Sequence, residues 1–116
     1  MKITRIELTP VIVPSRPDAI NSPGQTAPLH MLSVGAKKGW SHQFDDLVKW
    51  ILKIHTDDGI VGVGESLRAV REEKMRVISE SLIDEDPLEM NLRDLPITYG
   101  REYDGFECAL FDLVGK

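Results

Sequence analysis

Apolar and polar positions alternate at the start of the chain, Ile6, Leu8 and Ile12 against Glu7 and Thr9, and β-branched side chains dominate there. A period of two over 1–13 predicts a strand with its apolar side in the core. Pro10 removes one ladder donor, so this strand is expected at a sheet edge or bent at that point. Residues 14–44 lose every period. Pro14, Pro17, Pro23, Gly24, Pro28, Gly35 and Gly39 punctuate them. A stretch this long without elements is uncommon inside a compact domain and is usually functional or disordered; its composition is lid-like.

The segment 46–66 predicts a β-hairpin. Leu47–Thr56 is an apolar, β-rich run, Asp57-Asp58-Gly59 follows, and Ile60–Glu65 is a second run. With Asp58-Gly59 as a two-residue loop, Ile54 faces Val63, Thr56 faces Val61, and Trp50, Leu52, Ile54, Val61 and Val63 share one face. Gly62 and Gly64 then leave the other face bare, open to close approach by another backbone or a ligand. Ser66 is placed to cap a helix over 70–83, with Met75, Ile78 and Leu82 as its apolar stripe and Glu72 and Glu73 in its first turn. Asp84-Glu85-Asp86-Pro87 stops it, and a short helical turn is expected at Leu88–Leu95, ended by Pro96. Across 103–115, Phe106, Ala109, Leu110, Leu113 and Val114 recur at helical spacing, with Asp104 as N-cap, Glu107 in capping-box position and Gly115 as C′. The expected fold class is α+β, a three-stranded antiparallel meander followed by helices.

Composition narrows the function. The 116 residues fall short of the roughly 200 that a (β/α)8 barrel needs. Fourteen Lys+Arg against nineteen Asp+Glu give a net charge of −5, and Lys37-Lys38 is the longest basic run. That balance argues against nucleic acid or an anionic membrane as partner. A single cysteine, Cys108, rules out an internal disulfide and a thiolate zinc cluster. No run approaches the roughly 18 apolar residues of a membrane helix. Arg5, Glu7 and Pro10 break the only N-terminal apolar run that could read as a secretory signal, so a cytoplasmic location is expected.

The chemistry-bearing residues build no active site by themselves. His30, His42 and His55 show no H-E-x-x-H spacing. His55, opposite the apolar hairpin face, reads as a surface histidine, and Cys108, beside the last helix's stripe, as a small buried thiol. No G-x-S-x-G occurs, and Gly62-Val63-Gly64-Glu65-Ser66 is only half of a dinucleotide fingerprint. Asp84, Glu85 and Asp86 either gather a divalent cation or form a solvated turn. Arg68 and Arg71 either hold an anionic substrate or are surface arginines.

Taken in order, four stretches resemble a known family. They are Lys2-Ile3-Thr4-Arg5-Ile6-Glu7, Thr56 through Ser66 (TDDGIVGVGES), Asp86-Pro87-Leu88-Glu89, and Glu107 through Lys116 (ECALFDLVGK). The last is similar to A-L-W-D-L-x-G-K, with Phe111 in place of Trp. Together they resemble the N-terminal capping domain of the enolase superfamily, in the mandelate racemase and muconate lactonizing enzyme branch. The resemblance implies a partner domain, a (β/α)8 barrel, that carries the acid/base groups and the carboxylates holding Mg2+. The chemistry implied is proton abstraction beside a substrate carboxylate to give an enediolate. It implies a capping domain that closes over the barrel mouth and shapes the pocket through two loops. The first corresponds to 14–44, making His30, Trp40 and His42 the substrate-contact residues expected there; the second follows Glu65-Ser66 and offers Arg68. Catalytic and metal-binding residues are expected on the barrel, which is absent from this sequence, and these 116 residues alone are expected to be inactive. The polar set His30, Lys37, His42 and Arg68 suits a hydroxylated acid, hence a sugar-acid dehydratase. A racemase or cycloisomerase, or a stand-alone binding module without catalysis, are the alternatives. A homo-oligomer is implied for the full-length enzyme.

Overall fold

A computed structural model describes residues 1–13, 47–67 and 70–116. The chain divides into two compact units, Met1–Val11 with Val48–Lys116, and Ile12–Leu47. Nearly all of the second lies outside the described residues, so the first is described alone.

Its elements are β1 (Ile3–Val13), β2 (Leu47–Thr56), β3 (Val61–Glu65), helix α1 (Glu72–Leu82), a 3-10 turn at Pro87–Glu89 and helix α2 (Tyr103–Gly115). The three strands form an antiparallel sheet in the order β1-β2-β3, which puts Pro10 on an edge strand, where its missing N–H costs little. Ile12, expected in the core, is 67% exposed.

The hairpin register differs by one residue from the sequence expectation. Thr56 N–H donates to Ile60 O (3.1 Å) and Gly59 N–H to Thr56 O (3.2 Å), so the loop is the triplet Asp57-Asp58-Gly59, with Gly59 at φ +85°. A three-residue loop with glycine in the left-handed position is the next most favoured hairpin. Asp58 adds side-chain bonds: the Thr56 hydroxyl and then the Ile60 N–H hold its carboxyl below the usual carboxylate range. Leu52 therefore pairs with Gly64 and Ile54 with Gly62. A one-residue slip exchanges the faces of a strand. Val61 and Val63 thus lie opposite Leu52 and Ile54, and the two glycines face the core.

Helix α2 packs on those glycines. A Cβ at Gly62 would lie 2.2 Å from Ala109 O, and one at Gly64 2.2 Å from Gly105 O. Of the two uses foreseen for the bare strand face, the close approach of another backbone is the one realised. Phe106, Ala109, Leu110 and Leu113 from α2, Leu52 and Ile54 from β2, and Met75, Ile78 and Leu82 from α1 make up most of the buried core. At 100° per residue Cys108 falls outside that arc, and it is exposed, contrary to the expected buried thiol.

Both sheet edges are tied by side chains or loops. On β3, Val63 N–H donates to Asp112 Oδ2 (2.8 Å), while Lys116 Nζ donates to Val61 O (2.8 Å) and pairs with Asp112 (2.8 Å). The Lys116 ammonium and the Val63 N–H hold the Asp112 carboxyl below its ordinary value. These contacts give the D-L-V-G-K stretch a structural reason. On β1, Ile3 N–H donates to Glu85 O (3.0 Å) and Asp84 N–H to Ile3 O (2.9 Å). Asp84 reaches this position with φ +69°, a left-handed conformation that aspartate tolerates better than most residues.

Four local expectations are corrected. Ser66 does not cap α1: its Oγ accepts from Trp50 N–H (2.9 Å) and donates to Leu67 O (2.8 Å), and Arg71 occupies the cap position without a side-chain bond. Between Leu88 and Leu95 only the 3-10 turn Pro87–Glu89 forms, because Asp86 and Asn91 accept from Leu88 and Arg93 N–H groups and hold turns there. On α2 the N-cap position is Glu102, so Asp104 lies in the first turn, and Gly115 is the last helical residue with no left-handed φ.

Candidate functional site

The antiparallel order β1-β2-β3 brings the end of β1, the start of β2 and the end of β3 to one end of the sheet. The segments 14–46 and 68–69 connect at that end. His30, Trp40 and His42 fall in the first and Arg68 in the second, so all four expected substrate contacts lie outside the described residues.

The described end of the sheet is firmly built. Trp50 and Ser66 exchange backbone and side-chain bonds, with Ser66 N–H donating to Trp50 O (2.9 Å) and Trp50 N–H to Ser66 Oγ (2.9 Å). Ser66 is buried, and a Cβ at Gly105 would lie 3.1 Å from its Cα, so α2 presses directly on the point where β3 ends. Lys49 Nζ and Glu65 Oε1 pair at 2.6 Å across the same end of β2 and β3. Partly exposed, this pair adds little stability.

Elsewhere, the described polar groups are mostly committed to one another. His55 Nε2 lies 3.3 Å from both Arg5 and Glu7, and Arg5 pairs with Glu7 at 2.5 Å. His55 is on the face opposite Leu52 and Ile54, as the sequence suggested. A groove of about 330 Å3 between β1 and α1 holds Arg5 and Arg76. Both guanidinium groups are engaged, Arg76 with Glu72 at 2.6 Å. In the acidic turn, Asp86 accepts from Leu88 N–H and meets the Met1 amine at 3.4 Å. Among the described residues no three carboxylate, imidazole or thiol groups gather in a way that could hold a metal ion. Among the same residues no helix is long and apolar enough to cross a membrane.

One site escaped the sequence reading. The turn 98–102 and the exposed side of α1 enclose a groove of about 390 Å3, lined by Lys74, Val77, Ile78, Thr98, Tyr99 and Glu102 among others. Glu102 is only 6% exposed. Its Oε1 accepts from Arg71 N–H (2.9 Å) and so supplies the acceptor missing at the start of α1. Burial pushes its carboxyl up, but the Arg71 and Glu102 N–H groups and the Lys74 and Arg71 charges outweigh this and hold it below the ordinary value. A charged residue immediately before an apolar-striped helix was the available signal. Its partner Arg71, thirty-one positions away, was not legible.

Comparison with known proteins agrees with this architecture. No protein-family model and no curated protein matches the chain. Solved structures do. An N-succinyl Arg/Lys racemase from Bacillus cereus superposes with a TM-score of 0.66 at 23% identity, over 99% of this chain and 30% of its own. An enolase from Pseudomonas fluorescens with bound magnesium, potassium and tartrate gives 0.62 at 23% identity, over 97% and 28%. A candidate mandelate racemase/muconate lactonizing enzyme from Roseovarius nubinhibens gives 0.64 at 20%, over 98% and 30%. The chain thus spans less than a third of each structure it matches. What it shares with them is the fold.

Proposed function

We propose that this chain is the substrate-specificity lid of a Mg2+-dependent enolase-superfamily enzyme that removes a proton beside a substrate carboxylate. The observation that carries the reading is the superposition of nearly the whole chain on under a third of each matched enzyme. In this reading a (β/α)8 barrel is the partner domain and holds the acid/base groups and the metal. No metal-dependent step is assigned to the described residues, which gather no suitable ligand set. The lid's own work is to exclude water and contact the distal part of the substrate. The Trp50–Ser66 brace gives a fixed base at the sheet end where 14–46 and 68–69 attach, and Trp40, His42, His30 and Arg68 supply the contacts.

Within the superfamily we assign a sugar-acid dehydratase. The polar set His30, Lys37, His42 and Arg68 can hydrogen-bond a hydroxylated acid, and one matched structure holds tartrate, a dihydroxy acid. The racemase name of another favours inversion as the second reading. The test uses the polypeptide as its source cell makes it, incubated with Mg2+ and a panel of sugar acids in deuterated water. A dehydratase yields a 2-oxo acid and a racemase yields the inverted acid with solvent deuterium. Arg68→Ala and His42→Ala raise KM more than they lower kcat if those residues grip the distal end. An intact mass without room for a barrel, and no exchange on any acid, would leave the non-catalytic module.

A further inference from the structure

We propose that the groove between α1 and the turn 98–102 binds a small organic cation, an alkylammonium or guanidinium carrying an apolar body, with its charge on Glu102. This inference does not rest on the lid reading. Glu102 is more than nine-tenths buried, and among the described residues its Oε2 accepts no hydrogen bond from another residue. That oxygen lies beside the lining of the groove: a Cβ on Gly100, which also lines it, would stand 3.4 Å away. A shielded carboxylate oxygen with no donor from another residue gains from one that reaches it, and a charged donor serves it best.

The rest of the groove selects an apolar body. Val77 is 65% exposed and Tyr99 85% exposed, and both line it. The Tyr99 ring lies 5.0 Å from that of Tyr103 at an interplanar angle of 40°. Tyr99 and Glu102 line the same groove, and a cation held between an aromatic ring and a carboxylate gains from both. Glu73 adds a second negative charge at the rim and Lys74 a positive one, so the lining carries a net negative charge when its carboxylates are ionised. A volume near 390 Å3 is within the roughly 300–1,000 Å3 of small-molecule sites.

The test is saturation-transfer NMR and calorimetry on the full polypeptide with 2-phenylethylammonium, beside its uncharged counterpart 2-phenylethanol. The expected result is saturable binding of the ammonium and much weaker binding of the alcohol. Glu102→Gln keeps an acceptor for Arg71 N–H and is expected to weaken the ammonium about tenfold. Tyr99→Ala, at an exposed position, weakens it about two- to fivefold. Equal binding of alcohol and ammonium overturns the proposal, as does an unchanged Glu102→Gln. An absence of saturable binding also overturns it and leaves that oxygen to water. If Glu102→Gln fails to fold, the alcohol comparison and Tyr99→Ala still decide.

Discussion

Replacing Gly62 by alanine adds one methyl group at one of the two closest approaches of α2 to β3. That Cβ would sit 2.2 Å from Ala109 O and 2.6 Å from Leu113 Cβ, where real Cβ atoms keep at least 3.0 Å. Neither obstacle is a flexible tip: one is helix backbone, the other the root of a fully buried leucine. Helix α2 must therefore lift by at least the missing 0.8 Å, the difference between 3.0 and 2.2 Å. A gap of that size forfeits a quarter to a half of the dispersion energy of the contacts it opens. Phe106, Ala109, Leu110 and Leu113 all seat on that side of the helix. Overpacking in a closed core commonly costs about 1–3 kcal/mol, and a clash on backbone belongs at or above the top of that range. Against a total of about 5–15 kcal/mol this is a severe loss. Urea unfolding followed by far-UV circular dichroism measures it, with two glycines as controls. Gly115→Ala meets nothing within 4 Å and is expected within a few tenths of a kcal/mol of the parent, or above it. Gly59→Ala also has open space but must hold φ +85°, and should cost about 1 kcal/mol. A loss below about 1 kcal/mol for Gly62→Ala, with the slope m unchanged, would refute the packing of α2 on β3 described above.

Phe106→Ala empties a fully buried site and should cost about 3–5 kcal/mol in the same urea experiment. Asp112→Ala removes the acceptor of Val63 N–H and the partner of Lys116. Because the folded-state pKa of Asp112 is lowered, its stabilisation is complete above the ordinary carboxylate value and fades as pH falls through the lowered one. The gap between parent and variant should thus be widest near neutrality and close in strong acid, which urea titrations across that range will read. Cys108, exposed on α2, should react completely with a thiol reagent in the folded protein without denaturant, and protection from the reagent would return it to the core.

The elements with a strong period were legible. The stripe Met75, Ile78, Leu82 fixes both the existence of α1 and its buried face, and the α2 stripe does the same, because burial of one side is what stabilises each helix. The hairpin was legible as a hairpin but not in register. Asp57-Asp58-Gly59 allows a two- or a three-residue loop, and the choice falls to the Thr56 bonds and to the helix that needs the glycines inward. Cap positions were misread where the bonding partner is distant in sequence, as with Arg71 and Glu102. Glu102 offered only its place before a striped helix, since its burial depends on a turn that no period predicts. The expected substrate contacts, His30, Trp40, His42 and Arg68, fall in segments where the chain carries little regular pattern, so the two loops implied by the family resemblance suggested them rather than any period.

The glycine face of β3 also constrains the order in which this structure can arise during synthesis. A two-stranded hairpin is marginal in water, and this one offers Leu52 and Ile54 on one strand against hydrogen atoms on the other. Its cover, α2, is made some fifty residues after Glu65. At about 5–20 residues per second the ribosome needs about 3–10 s to supply it. Throughout that interval the hairpin lacks its roof, and Val63 N–H and Val61 O lack the Asp112 and Lys116 side chains. The first strand waits as well, because Ile3 is held by Asp84 and Glu85. The sheet is therefore a late product, and α2, made after all three strands, is the element that closes it.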